Sequence, residues 1–144
     1  MPISFTASKV AATDEDWGRL VLFGDIENMD GSPYLMFQGT YAYTEQDVQH
    51  GQDQPYVEIQ NQGWSWYGHV TRLELSRDSL TLQMDEVASK QMENDGGVQV
   101  FFKLDDEAFS HLSSQLGAIL GTAIEVQRSA TQPVIPGLPL SARN

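Results

Sequence analysis

Histidines and carboxylates are the residues of this chain that could do chemistry. His50, His69 and His111 all lie within a strongly acidic sequence. Glu58 lies close in sequence to Asp53, and two carboxylates at a cleft would suit acid/base catalysis. Nucleophilic catalysis also needs an activated nucleophile, and the chain has no serine elbow, HExxH motif or glycine-rich phosphate or dinucleotide loop. We therefore expect no enzymatic function and no catalytic residue.

Metal and cofactor chemistry has equally little support in the residue types. The chain has no cysteine, which excludes disulfides, thiolate nucleophiles and cysteine zinc sites. Asp25, Glu27 and Asp30 form a carboxylate-rich stretch, but its spacing does not match the twelve-residue calcium loop. We expect no cofactor and no metal site, and we keep this stretch as an alternative partner contact.

The balance of charge limits the partners that the chain can take. Twenty acidic residues against eight basic ones give a formal net charge of −12. Such a protein repels nucleic acid and anionic membranes and attracts cationic surfaces. Residues 1–5 do not resemble a signal peptide, and no apolar stretch approaches the about 18 residues of a membrane span. We expect a soluble, cytoplasmic protein with no nucleic-acid or membrane partner.

The elements that must position a site are predicted by alternation. Leu73 and Leu75 alternate with polar residues, and apolar and polar residues also alternate over residues 80–84 after a polar turn. This pattern is typical of a half-buried hairpin. Apolar residues at helical spacing predict an amphipathic helix from Asp105 to Leu120. Further strands are predicted at residues 3–8, 19–24, 34–40, 56–59 and 98–104, and a short helix at 85–92 with Asp85 as N-cap.

These elements predict one domain of the α+β class. We expect a twisted, mostly antiparallel sheet of about six or seven strands, with the C-terminal helix packed on one face and one short helix. The domain is predicted to span residues 1–128. Residues 129–144 contain three prolines, Pro133, Pro136 and Pro139, and are predicted to be an extended or disordered tail.

An aromatic segment follows the strand at residues 56–59. Trp64, Trp66 and Tyr67 lie between two glycines that allow a sharp turn. The three rings could cap one end of the core. Alternatively, they could form the apolar wall of a small-molecule-binding or hydrolytic domain, with Glu58 or His69 as its polar group.

The order of several short pieces resembles a known family. These pieces are the strands at residues 34–38 and 56–59, Gln62 followed by Tyr67 and Gly68, the hairpin at residues 73–82, and a last strand that runs into an amphipathic helix. In this order the chain, from about Trp17 to Leu120, resembles immunity protein family ten of the bacterial polymorphic toxin systems. The resemblance implies a protein that binds and neutralises a cognate toxin domain in the producing cell.

A toxin-binding role predicts where the partner lies. Such a contact should combine an acidic rim, which steers association, with aromatic anchors, which carry affinity. The polar loop at residues 44–55 is either this rim or a mobile solvated loop. A homodimer also stays open as an alternative assembly. The predicted partner-binding residues are Glu45, Asp47, Asp53, Glu58, Trp64, Trp66 and Tyr67.

Overall fold

The strands of the chain divide between two sheets. The computed structural model describes residues 3–24, 33–42, 45–50, 54–59, 64–120 and 126–128, the last of these by their backbone. The elements in order are β1 Ile3–Thr6, β2 Lys9–Asp14, β3 Gly18–Gly24, β4 Leu35–Thr40, α1 Glu45–Gln49, β5 Tyr56–Ile59, β6 Trp64–Tyr67, β7 Val70–Leu75, β8 Ser79–Met84, α2 Glu86–Met92, β9 Gly97–Phe101, α3 Asp106–Leu120 and β10 Val126–Arg128.

The two sheets differ in how their strands are connected. The meander sheet has the order β2-β3-β4-β5-β6, and each strand pairs antiparallel with its neighbour in sequence. The mixed sheet has the order β1-β9-β8-β7-β10, in which β1 and β10 pair in parallel with β9 and β7. The α+β class and the mostly antiparallel pairing are confirmed. The single sheet of about six or seven strands is replaced by two five-stranded sheets.

The chain passes directly from one sheet to the other at Ala7 and Ser8. The Ala7 amide donates to the carbonyl of Phe101 in the mixed sheet, and Ser8 Oγ donates to the carbonyl of Gly24 in the meander sheet. Between the sheets, the Phe23 and Phe102 rings lie 5.6 Å apart. The buried side chains of both sheets belong to one hydrophobic core.

Helix α3 packs on the inner face of the meander sheet, as the sequence predicts. Its buried side chains include Leu112, Leu116 and Ile119. Gly39 on β4 allows the close approach, because a Cβ at that position would lie 3.2 Å from Ile119 Cγ2. Asp105 caps the helix, since its carboxylate accepts a hydrogen bond of 2.7 Å from the Ala108 amide.

Helix α2 also begins where the sequence predicts. The Asp85 carboxylate accepts a hydrogen bond of 3.0 Å from the Ala88 amide. Its other oxygen lies 2.7 Å from His69 Nδ1. Burial raises the pKa of the Asp85 carboxyl, but the hydrogen bonds from Ala88 and His69 outweigh it, and the pKa lies below its ordinary value.

Asp85→Asn tests the charge at this cap, because asparagine keeps an N-cap oxygen. A lowered pKa stabilises the fold above the unfolded-state pKa of about 3.9, and this contribution is lost as the pH falls through the lower folded value. We expect the variant to have a lower urea midpoint at neutral pH and the difference from wild type to shrink below about pH 4. Asp78→Asn, at an exposed turn, is the control. A difference that stays constant down to pH 3 would contradict the assignment.

One region of the chain differs from the sequence prediction, and two others lie outside the described residues. The polar loop predicted at residues 44–55 is wrong in part, because Glu45–Gln49 form the short helix α1. The carboxylates Asp25, Glu27 and Asp30 and the tail at residues 129–144 lie outside the described residues. The boundary between domain and tail therefore stays a prediction.

Candidate partner-binding surface

Strand register decides which side chains of the meander sheet face the core. Phe37, Val57 and Trp66 are cross-strand neighbours on the inner face. The alternate positions form the outer face, where two rows cross all five strands. One row is Thr13, Leu20, Gln38, Tyr56 and Tyr67, and the other is Ala11, Leu22, Met36, Glu58 and Ser65.

The three predicted aromatic contacts are separated by this register. Trp66 faces the core, is 8% exposed, and donates its indole N–H to the side-chain oxygen of Gln91. Trp64 is half-buried and packs against the same core. Tyr67 lies on the outer face and is 42% exposed. The rings therefore do not form one apolar wall, and Tyr67 is the ring of the three that a partner can reach.

Glu58 is the buried carboxylate of the outer face. It is 5% exposed, and its two oxygens accept hydrogen bonds from Tyr34 and Tyr56. The Tyr56 bond measures 2.6 Å. Burial and these hydrogen bonds raise the pKa of both tyrosine hydroxyls, so the hydroxyls keep the protons that they donate.

This cluster positions the exposed tyrosine. The Tyr56 hydroxyl is held by Glu58, and the Tyr56 ring packs against Tyr67 with a centroid distance of 5.3 Å. A satisfied buried carboxylate of this kind contributes to the structure whether or not a partner binds. Glu58 therefore orients Tyr56 and Tyr67 through its hydrogen bond to Tyr56, and it is too buried to form part of an acidic rim.

The histidines lie at three separate places. His50 is exposed after α1, His69 contacts Asp85, and His111 Nε2 lies 2.8 Å from the carbonyl oxygen of Ala12. None of the hydrogen bonds between described residues joins a histidine to Glu58. Within the described ranges, no three His, Asp or Glu side chains group together to hold a metal ion. Asp53, the predicted neighbour of Glu58, lies outside them.

Helix α1 contains two residues of the predicted acidic rim, Glu45 and Asp47. Strand β4 ends at Thr40 and β5 begins at Tyr56, so α1 lies in the connection at the end of the sheet where Tyr67 also lies. Glu45 is exposed in α1. Asp47 lies in the same helix, but its side chain is outside the described residues. We call this part of the molecule the α1 end of the meander sheet.

Sequence reasoning missed two exposed aromatic residues at the α1 end. Trp17 is 44% exposed in the turn between β2 and β3, and Tyr41 is 52% exposed just after β4. The available signal was an aromatic residue directly after Asp14, Glu15 and Asp16, in a turn where no core contact is expected. The outer face of the mixed sheet, by contrast, is mainly polar and carries Arg72, Glu74, Thr81, Gln83 and one exposed ring, Phe101.

A surface of exposed aromatic rings beside carboxylates is typical of proteins that bind other proteins. The family comparison agrees with that class, because the family model Immunity protein 10 matches residues 6–110. The chain belongs to the immunity protein 10 family, as the order of its short pieces predicts. Membership indicates an immunity function with a toxin protein as partner, and the family is generally non-enzymatic.

Neither the curated proteins nor the solved structures contain a match to this chain. Within the described ranges, no helix is long and apolar enough to cross a membrane.

Proposed function

We propose that this chain is an immunity protein that binds a cognate toxin domain and neutralises it in the cytoplasm of the producing bacterial cell. The observation that carries the proposal is the family match over residues 6–110. The net charge of −12 supports it, because many toxin domains that attack nucleic acid are basic and opposite charges speed association. Direct contact with the toxin then prevents its action.

Protection of a host cell tests this function. The toxin domain encoded beside the gene for this chain is expressed in a bacterial host, with the chain or with an empty vector. We expect growth to be restored by the chain and a stable complex to form between the two purified proteins. Failure of both protection and binding would overturn the proposal.

We place the partner contact at the α1 end of the meander sheet. Glu45, Asp47 and Asp53 are proposed as its acidic rim. Tyr67 is proposed as a direct contact, and Glu58 supports it through Tyr56. Trp64 and Trp66 belong to the same strand and are proposed to fix its position from the core side.

Reversing the rim charges should change the rate of association. Glu45→Lys, Asp47→Lys and Asp53→Lys, combined in one variant, should slow binding to the toxin domain and flatten the dependence of the rate on salt, because rim charges mainly steer encounter. Stopped-flow association at two salt concentrations measures both effects.

A matched control variant distinguishes the effect of the rim charges on the association rate from the effect of net charge. Glu86→Lys, Glu93→Lys and Asp95→Lys change the net charge equally at exposed positions outside the α1 connection. We expect this control to keep most of the wild-type association rate. Equal slowing in both variants would show that overall charge, rather than this rim, steers the toxin.

A further inference from the structure

Exposed apolar side chains are unevenly distributed over the described part of the chain. Among the residues whose side chains the structure describes, six large hydrophobic ones are exposed: Trp17, Tyr41, Val48, Tyr67, Val87 and Phe101. The first four all lie at the α1 end of the meander sheet. Soluble monomers rarely gather exposed apolar side chains in one region unless that region binds something.

Strand pairing brings Trp17, Tyr41 and Tyr67 to one end of the meander sheet. Gly18 pairs with Thr40, and the Tyr41 amide donates a hydrogen bond of 3.1 Å to the carbonyl of Trp17. Two strands farther along the sheet, Tyr67 ends β6 beside Tyr56. Adjacent strands are about 4.8 Å apart, so Tyr41 and Tyr67 lie at the same end of the sheet within the span of one protein contact. Tyr41 lies on the α3 side, where Arg19 covers its ring, and Tyr67 lies on the outer face, so a partner reaches both by docking across the end of the sheet.

The position of Trp17 is fixed by its neighbour. A Cβ at Gly18 would lie 2.1 Å from the carbonyl oxygen of Gly39, so only glycine lets the turn approach β4 this closely. The Glu15 amide also donates a hydrogen bond of 2.7 Å to the Gly18 carbonyl across the turn. The ring is thus presented by an ordered turn, which lowers the entropy cost of binding.

The charges around these rings favour a cationic ligand. Asp14 is exposed at the end of β2, Glu15 and Asp16 are exposed in the turn that leads to Trp17, and Glu45 is exposed in α1. Arg19 is a described cation at this end, and it already lies 3.7 Å from Asp14 and 5.0 Å from the centre of the Tyr41 ring. Its contacts show how a guanidinium group fits between a ring and a carboxylate at this surface.

We propose that the α1 end docks a basic face of the toxin domain, with Trp17, Tyr41 and Tyr67 as aromatic anchors and residues 14–16 and Glu45 as the surrounding acidic rim. This inference rests on the proposed immunity function and adds anchors that the strand pattern did not reveal. Tryptophan and tyrosine dominate binding energy at protein interfaces, and they also bind arginine and lysine through their ring faces.

Ring removal tests the anchors. We expect Trp17→Ala to weaken binding of the neighbouring gene's toxin domain by about 30-fold, and Tyr41→Ala and Tyr67→Ala by about tenfold each, mainly through faster dissociation. Phe101→Ala is the matched control, because this ring is exposed to a similar degree on the outer face of the mixed sheet. It should change affinity by less than about threefold. Circular dichroism and urea unfolding establish that each variant is folded.

A second variant covers the case in which a ring variant fails to fold. Glu15→Lys with Asp16→Lys leaves every ring in place, and it should slow association about tenfold at low salt. The docking surface would be overturned if the toxin domain bound this variant, or all three folded ring variants, with wild-type affinity. If protection also stayed at the wild-type level, the immunity function would stand. A wild-type chain that neither binds nor protects would overturn both.

The same variants distinguish a toxin from a second copy of the chain. Sedimentation velocity of the chain alone should give a monomer. A dimer that Trp17→Ala or Tyr67→Ala dissociates would show that these rings bind another copy, and it would overturn the assignment of this surface to a toxin.

Discussion

Trp66→Ala is expected to lower the free energy of unfolding by about 3–5 kcal/mol. The ring faces the core at 8% exposure, next to Val57 on the neighbouring strand, so alanine leaves a cavity that the sheet cannot close. The variant also loses the hydrogen bond to Gln91, but this costs less because Gln91 is exposed and regains water. Urea unfolding followed by circular dichroism gives the change.

Substitutions at and beside this position show whether the loss of stability comes from the buried ring. Tyr67→Ala, one position along the same strand, should cost only about 1 kcal/mol, because the ring is exposed and loses mainly its contact with Tyr56. The loss of unfolding free energy in Trp66→Phe should lie between the losses in Tyr67→Ala and Trp66→Ala. A Trp66→Ala variant that stays as stable as wild type but releases the toxin faster would place this ring in the interface instead of the core.

Leu116→Ala is the second large effect, at about 2–5 kcal/mol of unfolding free energy. Leu116 is fully buried where α3 packs on the inner face of the meander sheet, close to the place where Ile119 contacts Gly39. Leu112→Ala should cost a similar amount, since that side chain is only 1% exposed.

Ser114→Ala is the control for the helix, because it is exposed on the opposite face of α3 and alanine suits a helix. We expect its urea midpoint to equal or slightly exceed that of the wild type. Unchanged midpoints for both leucine variants would contradict the packing of α3 on the sheet.

The parts of the fold that depend on local patterns could be predicted from the sequence. The β7 and β8 hairpin follows from alternating leucines, α2 from Asp85 as its cap, and α3 from apolar residues at helical spacing. Division into two sheets could not be predicted, because it depends on parallel pairings of β1 with β9 and of β10 with β7 between distant segments.

Strand β6 shows why the site was only partly predicted. Its sequence, Trp-Ser-Trp-Tyr, alternates correctly for a strand, but the flanking glycines favoured a turn. Read as a strand, the segment directs Trp64 and Trp66 to one face and Tyr67 to the other. Trp17 and Tyr41 were missed because each lies just outside the alternation of a strand, where pattern alone assigns no face.

The consecutive strand order of the meander sheet has a consequence for synthesis. All five strands of the meander sheet and the whole α1 end have been made at Tyr67, whereas the mixed sheet is complete only when β1 has paired with β9 and β10 has paired with β7. Contacts between neighbouring segments form faster than contacts between distant ones, and chains fold from the N-terminal side as they leave the ribosome. The proposed docking surface is therefore expected to take shape on the nascent chain before the rest of the domain, with the pairing of β1 with β9 and of β10 with β7 as the late, slower steps.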